Sequence, residues 1–364
     1  MKEKAVKVLK YVLFAAISAF CVTDTAEVAA AVGKSVDKCM EVVIPSLFAM
    51  MVISSLFIRS GLNGHYPRWL GKFSRTVFGM EGYVFPIFTF GMFAGYPVGV
   101  KMLCDEYSAG RLSKRRAELL SGLCFGAGPA FVFGCISRQL YSSDRAGLII
   151  LISNIAANVL LALIMSVPLR RTFQEHTHKR RSGLSADMLT DCVMQSGRAM
   201  GRICVMIVFF SVFSAFFSRT GAAAAGELLE KLPDLDRESG KVIVAALFDV
   251  TNTGDLPCGD WLLLPYISAA TAFGGLCVMM QISGITAGRL SLRPFVLLRS
   301  AAAVLSFCIC RLITPLLMVG ETVSVSAVKA EGVSSRTPVP SVLLIIMTAM
   351  LMLEFDKKRE RNTA

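Results

Sequence analysis

The chain has 364 residues, of which 54% are apolar before its 29 glycines are counted and 18% are charged. With glycine the apolar share is about 62%, against roughly 45–50% apolar and ~25% charged in soluble domains. A soluble fold of this size has too much surface for so few charges to cover, and the low charge also excludes a disordered chain. An all-α integral membrane protein fits.

The net charge of +12 does not call for nucleic acid. Lys and Arg sit in clusters between apolar runs, as the loops on one side of a membrane require. The eleven cysteines are scattered and form no C-x-x-C pair. They read as buried thiols, with no disulfide framework and no metal site.

A bilayer core takes about 20 apolar residues per helix. About eight transmembrane helices are predicted, over 6–22, 42–58, 118–137, 146–168, 201–217, 261–285, 300–319 and 341–353. Two further apolar segments are interrupted. Residues 83–100 contain Pro86, Gly91, Gly95, Pro97 and Gly99; residues 241–258 contain Asp249, Asn252, Gly254 and Pro257. Lipid cannot satisfy the N–H and C=O groups freed by such breaks, so both segments are predicted as re-entrant hairpins in buried surroundings.

Charge gives the predicted layout a direction. With the N-terminus cytoplasmic, the basic segments 59–75, 101–116, 170–198, 289–299 and 357–361 fall on one side. The acidic loop 227–238 falls on the other, and the C-terminus is cytoplasmic in the cell membrane. Residues 42–168 then run helix, hairpin, helix, helix, and residues 201–319 run the same way from the opposite side. This is an inverted-topology repeat, an architecture of secondary transporters. The expected organisation is an N-terminal helix and interfacial segment (1–40), a first repeat (41–168), a basic cytoplasmic loop (169–200), an inverted second repeat (201–319), and an outer loop, last helix and basic tail (320–364).

Interrupted segments at matching positions mark a substrate site in such proteins. The candidates in the first hairpin are Gly95, Tyr96, Pro97, Gly99 and Lys101, with Gly128 and Pro129 after it. Glycine admits backbone to a ligand and proline frees a carbonyl. In the second hairpin they are Asp249, Thr251 and Asn252, followed by Gly274, Gly275 and Gln281. A carboxylate inside an apolar segment is costly and therefore usually functional, binding a cation, a proton or a substrate donor. Close helix packing is the bland alternative for the glycines, a solvated loop for Asp249, and the cytoplasmic end of a helix for Lys101. Asn154 and Asn158, four residues apart, suit hydrogen bonding between helices. Gly33-Lys34-Ser35 ends like a phosphate-binding loop but has Val28 where the leading glycine belongs, and no catalytic motif is found. The chain reads as no enzyme.

Ordered motifs span the chain: Ile44-Pro45-Ser46-Leu47-Phe48, Gly95-Tyr96-Pro97-Val98-Gly99-Val100-Lys101, Ala127-Gly128-Pro129-Ala130-Phe131, Val250-Thr251-Asn252, and Phe273-Gly274-Gly275-Leu276 with Gln281. In these the chain resembles the sporulation integral membrane protein YlbJ family, which carries the nucleoside recognition (Gate) domain. The resemblance implies Gate-like repeats similar to halves of concentrative nucleoside transporters. Two asparagines usual before the A-G-P motif are replaced by Phe125 and Gly126, and the glutamate usual before V-T-N is Asp249. It further implies a small-molecule solute, with dipicolinic acid the solute expected of the sporulation branch. A coupling ion, H+ or Na+, and a homo-oligomer are compatible with this reading, which needs no cofactor. The alternative is a membrane scaffold for spore formation that transports nothing.

Overall fold

The computed structural model describes residues 2–64, 66–172, 185–220, 230, 233–256 and 259–317. Among them there are helices and no strands. Helix α1 (Lys2–Thr23) hands over at Asp24 to α2 (Thr25–Arg59), which contains a π-helical turn at Cys39–Val43. The first interrupted segment forms α3 (Val84–Phe93) and α4 (Val98–Ser108), packed on each other. Then come α5 (Lys114–Ser121), a short helix Pro129–Phe131 continuing as a π-helix over Val132–Tyr141, α6 (Asp144–Ile164) and α7 (Ala186–Thr220). The second interrupted segment is α8 (Arg237–Phe248) and a 3-10 turn at Val250–Asp255. The chain closes with α9 (Leu264–Phe273), α10 (Gly275–Thr286) and α11 (Arg293–Leu317).

Among the described residues, five helical stretches are long and apolar enough to cross a membrane: α2, α6, α7, the pair α9–α10 as Trp261–Thr286, and α11. The expected helix 118–137 does not form as one span. Helix α5 stops at Ser121 and the backbone is unwound over 122–128, where Gly122, Gly126, Gly128 and Pro129 remove helix propensity. The helix expected at 261–285 turns at Gly274 and Gly275, both left-handed, with φ of +89° and +80°. The segment expected at 6–22 lies within the single helix α1, of which Tyr11–Thr23 is an apolar part among the described residues. The predicted helix 341–353, the tail 320–364 and Cys258 lie outside the described residues.

The two interrupted segments differ. After its break the first continues as a helix of 11 residues, so Lys101 lies within α4 and not at its exit. After its break the second continues, among the described residues, as a 3-10 turn of 6 residues.

Contacts between polar groups sort the loops to two ends. At one end Arg219 pairs with Asp24 and Glu27, Lys34 with Asp255 at 2.7 Å, and Arg311 with Asp234. At the other Arg59 meets Asp191 at 3.4 Å, Arg289 donates to Ser108, and the Ser291 amide donates to Glu118. The basic segments 59–75, 101–116 and 289–293 therefore do gather at one end. The second end also holds buried ion pairs. Arg116, 1% exposed, is 2.6 Å from Glu81 and donates to the carbonyls of Gly79 and Leu169 at 2.8 and 2.5 Å. Glu106 accepts from Asn63 and Arg111.

Candidate functional site

The breaks in the helices come together. The Ala94–Pro97 turn between α3 and α4 contains Gly95 (φ +84°) and the cis peptide bond Tyr96-Pro97. It packs on the unwound stretch before Pro129: a Cβ on Gly128 would lie 3.0 Å from the Gly95 Cα, and one on Gly126 would lie 2.9 Å from the Met92 carbonyl. Behind this contact, a Cβ on Gly99 would come within 2.2 Å of the Cys124 carbonyl and 2.6 Å of the Gly91 Cα. These glycines set backbone against backbone, which no larger residue permits.

The second pair of breaks repeats the arrangement. A Cβ on Gly275 would lie 3.1 Å from the Ala246 carbonyl and 3.3 Å from the Val250 nitrogen, where α8 ends. Gly274 faces the first pair, and a Cβ there would lie 2.6 Å from the Phe125 ring. The Tyr96 hydroxyl donates to the Thr271 carbonyl at 2.5 Å, and its ring lies 4.8 Å from that of Phe125. Phe125 thus stands where three of the breaks meet, with the fourth, at the end of α8, packed on Gly275, and Phe295 holds it on another side at 5.1 Å.

The group at the centre of this junction is Arg299. Sequence reading assigns it to a cytoplasmic loop; the structure places it inside α11 with no exposed surface. Its Nη2 donates to Asn158 Oδ1 at 2.6 Å, and its Nη1 reaches the carbonyls of Phe125 and Ala272, each at 3.3 Å. The guanidinium carbon lies 5.1 Å from the centre of the Phe125 ring. Its Nε has no hydrogen-bond partner, and among the described residues no carboxylate pairs with it. One turn from Asn158 on the same helix, Asn154 donates to Thr271 Oγ1 at 3.0 Å and accepts from Ser306 at 2.9 Å. Ser306 in turn meets Ser268 at 2.7 Å. A buried polar seam therefore joins α6, α9 and α11, with both asparagines in the interhelical role expected of them.

The remaining sequence candidates are placed elsewhere. Lys101 is buried and engaged, 2.7 Å from Ser55 Oγ and 3.1 Å from Asp105, toward the Arg59 end. Asp249 is 3% exposed and accepts from the Thr251 amide at 3.0 Å, capping the 3-10 turn; it is buried, not a solvated loop residue. Thr251 gives its carbonyl to Lys38. Asn252 donates to Ser214 on α7 and to the Ala245 carbonyl, and Gln281 donates to Cys277 Sγ at 3.4 Å. Pro97 precedes the first residue of α4, and Pro129 opens the helix after the unwound stretch. The residue missed by sequence reading is Arg299. Its signal was its spacing: Arg299 and Ser306 are seven apart on α11, two helical turns, opposite two asparagines four apart on α6.

No family model matches the chain, and no solved structure matches it. It is similar to a curated protein, "Sporulation integral membrane protein YlbJ" of Bacillus subtilis (strain 168), 23% identical over 288 residues and covering 71% of each chain. The chain is a distant relative of the YlbJ family of sporulation integral membrane proteins.

Proposed function

We propose that this membrane protein is a secondary transporter or permease for a small polar or anionic solute, with a solute path through the junction around Phe125. The observation that carries the reading is the packing of four helix interruptions, drawn from two separate parts of the chain, into one buried cluster. Unwound backbone at membrane depth is sustained where protein or a cavity surrounds it, and transporters place their sites at such breaks. A buried positive charge at that point favours anions over cations. In this reading the two parts are inverted Gate-like repeats, both termini are cytoplasmic, and the setting is spore formation, as the relative's name suggests.

Proteoliposomes of sealed, oriented protein test the reading, with uptake measured for small dicarboxylates, dipicolinate and nucleosides. The expected result is saturable uptake of at least one of them, paired with a rise in unfolding temperature on adding the same compound to purified protein. The local bonds of Asp249 and Asn252 tie α7, α8 and the 3-10 turn together, as the scaffold alternative requires. Correctly inserted protein that moves none of these solutes, and binds none, would establish that alternative.

A further inference from the structure

The contacts of Arg299 are those of a cation site. A half-helix end and unwound backbone present uncompensated carbonyl oxygens, and transporters use such ends to hold a coupling cation. The Ala272 carbonyl lies in the last turn of α9, next to the Gly274 break, and the Phe125 carbonyl lies in the unwound stretch 122–128. Asn158 Oδ1 completes a set of three neutral oxygens, and the Phe125 ring offers its face to the same charge. None of these ligands is anionic. Two of the oxygens come from the first set of breaks and its neighbouring helix, and the third comes from the second set.

We propose that the Arg299 guanidinium is the tethered occupant of a cation site shared between the two broken segments, supplying the charge that a soluble monovalent cation would otherwise bring there. The inference rests on the transporter reading for its meaning, but its geometry stands independently of what is transported. It goes beyond that reading in one respect: the cation at this junction is part of the chain, so it neither enters nor leaves with the solute. A soluble cation could bind and dissociate at each cycle, whereas Arg299 holds the carbonyls of both broken segments together whenever the junction is closed. The unpartnered Nε leaves one donor in reserve, as expected when a planar group fills a site of three oxygens without matching every donor.

The test is thermal unfolding of purified, detergent-solubilised Arg299→Ala, which removes the tethered charge and leaves the oxygens. The expected result is a lowered unfolding temperature that methylguanidinium at low millimolar concentration restores saturably, by binding the native state. Tetramethylammonium, with the same charge and no N–H, should not restore it, and the wild-type protein should respond to neither. If the alanine variant does not accumulate, Arg299→Gln takes its place. Its amide still donates to one carbonyl, and the same saturable restoration is required of it. Failure of methylguanidinium to restore either variant, or equal restoration by tetramethylammonium, would overturn the proposal. The readout needs no transport. Absent uptake with intact restoration refutes the transporter reading alone, and uptake by the wild type without restoration of the variants refutes the tethered cation alone.

Discussion

Arg116 and Arg299 are both buried arginines, and their surroundings could hardly differ more. Arg116 sits near one end of the molecule against Glu81 at 2.6 Å, and also donates to the Gly79 and Leu169 carbonyls and the Thr172 hydroxyl. Arg299 sits at the junction of the helix breaks with three neutral oxygens and an aromatic face. A buried charge with an opposite partner costs little net and fixes geometry; a buried charge without one is expensive and persists where a protein needs it. The first arginine joins elements at one end through an opposite charge, and the second joins the broken segments at the centre through neutral oxygens alone. The same contrast runs through the backbone: the Arg116 end is bound by side-chain pairs, and the centre by glycines that let main chain touch main chain.

The largest expected effect comes from breaking the compensated cluster. Arg116→Met leaves Glu81 buried without its cation and should cost about 3–5 kcal/mol, seen as loss of folded protein in detergent. Arg116→Met combined with Glu81→Leu removes both charges and should recover most of that loss. A double variant as unstable as the single one would show that the carbonyl contacts, and not the ion pair, dominate.

Gly99→Leu addresses the centre. Its side chain would start 2.2 Å from the Cys124 carbonyl, a backbone atom with nowhere to go. The expected outcome is a folding defect of about 3 kcal/mol or more, measured as unfolding temperature and yield. A stable Gly99→Leu protein would mean that the unwound stretch can move away from α4. Tyr96→Phe is milder. It deprives the Thr271 carbonyl of its hydroxyl partner and should cost about 1–2 kcal/mol, while leaving the 4.8 Å ring contact with Phe125 in place.

How far this architecture could be read from sequence depends on what each signal measures. Hydropathy and Gly/Pro content located both interrupted segments, because broken apolar runs are visible one residue at a time. They also placed the Gly274-Gly275 and Gly128-Pro129 candidates, which the structure brings beside Phe125 and Gly95. The continuous helix expected at 118–137 failed because a window average does not see that Gly126 and Gly128 are required for contact with Met92 and Gly95. Arg299 was misplaced for a related reason. Charge counting treats arginines near a helix end as loop cations, and only the facing asparagines on α6 show that this one points inward. Charge counting likewise makes Arg116 an end charge and offers the helix end as the alternative to a site role for Lys101; both lie toward that end, buried and paired. Five of the eight expected spans fall in long apolar helical stretches, and 6–22 lies within α1. The span 118–137 is broken by an unwound stretch that hydropathy alone does not see, and 341–353 lies outside the described residues.

Two smaller effects calibrate the comparison near water, where a charge should matter least. Asp236 caps α8 by accepting from the Ser239 and Glu238 amides. The hydrogen bond from the Ser239 side chain, followed by those of the backbone amides, holds its carboxyl below the usual range. Because the folded state lowers this pKa, the cap's contribution is present at neutral pH and is lost as pH falls through the carboxylate range. Asp236→Ala should cost about 1 kcal/mol at neutral pH, and the difference from wild type should shrink in strong acid. An unfolding temperature series against pH reads this directly, and a difference that persists unchanged at low pH would show that the carboxylate charge is not what caps the helix.

The smallest effect is expected at the Lys34–Asp255 pair, which joins α2 to the turn after α8. Its atoms are 2.7 Å apart, nearly as close as the buried Arg116–Glu81 pair at 2.6 Å, yet the Lys34 side chain is 58% exposed. Water screens such a pair and both side chains lose freedom in making it, so its net worth is about 0–1 kcal/mol. Lys34→Ala should therefore lower the unfolding temperature little, and the residual effect should vanish in high salt as the Debye length shortens. Arg116→Met should keep its full effect in the same salt, because its partner is out of reach of mobile ions. If Lys34→Ala proves as damaging as Arg116→Met, and remains so in salt, then proximity and not burial governs charge pairs in this protein. The contrast between Arg116 and Arg299 would then need a different physical basis.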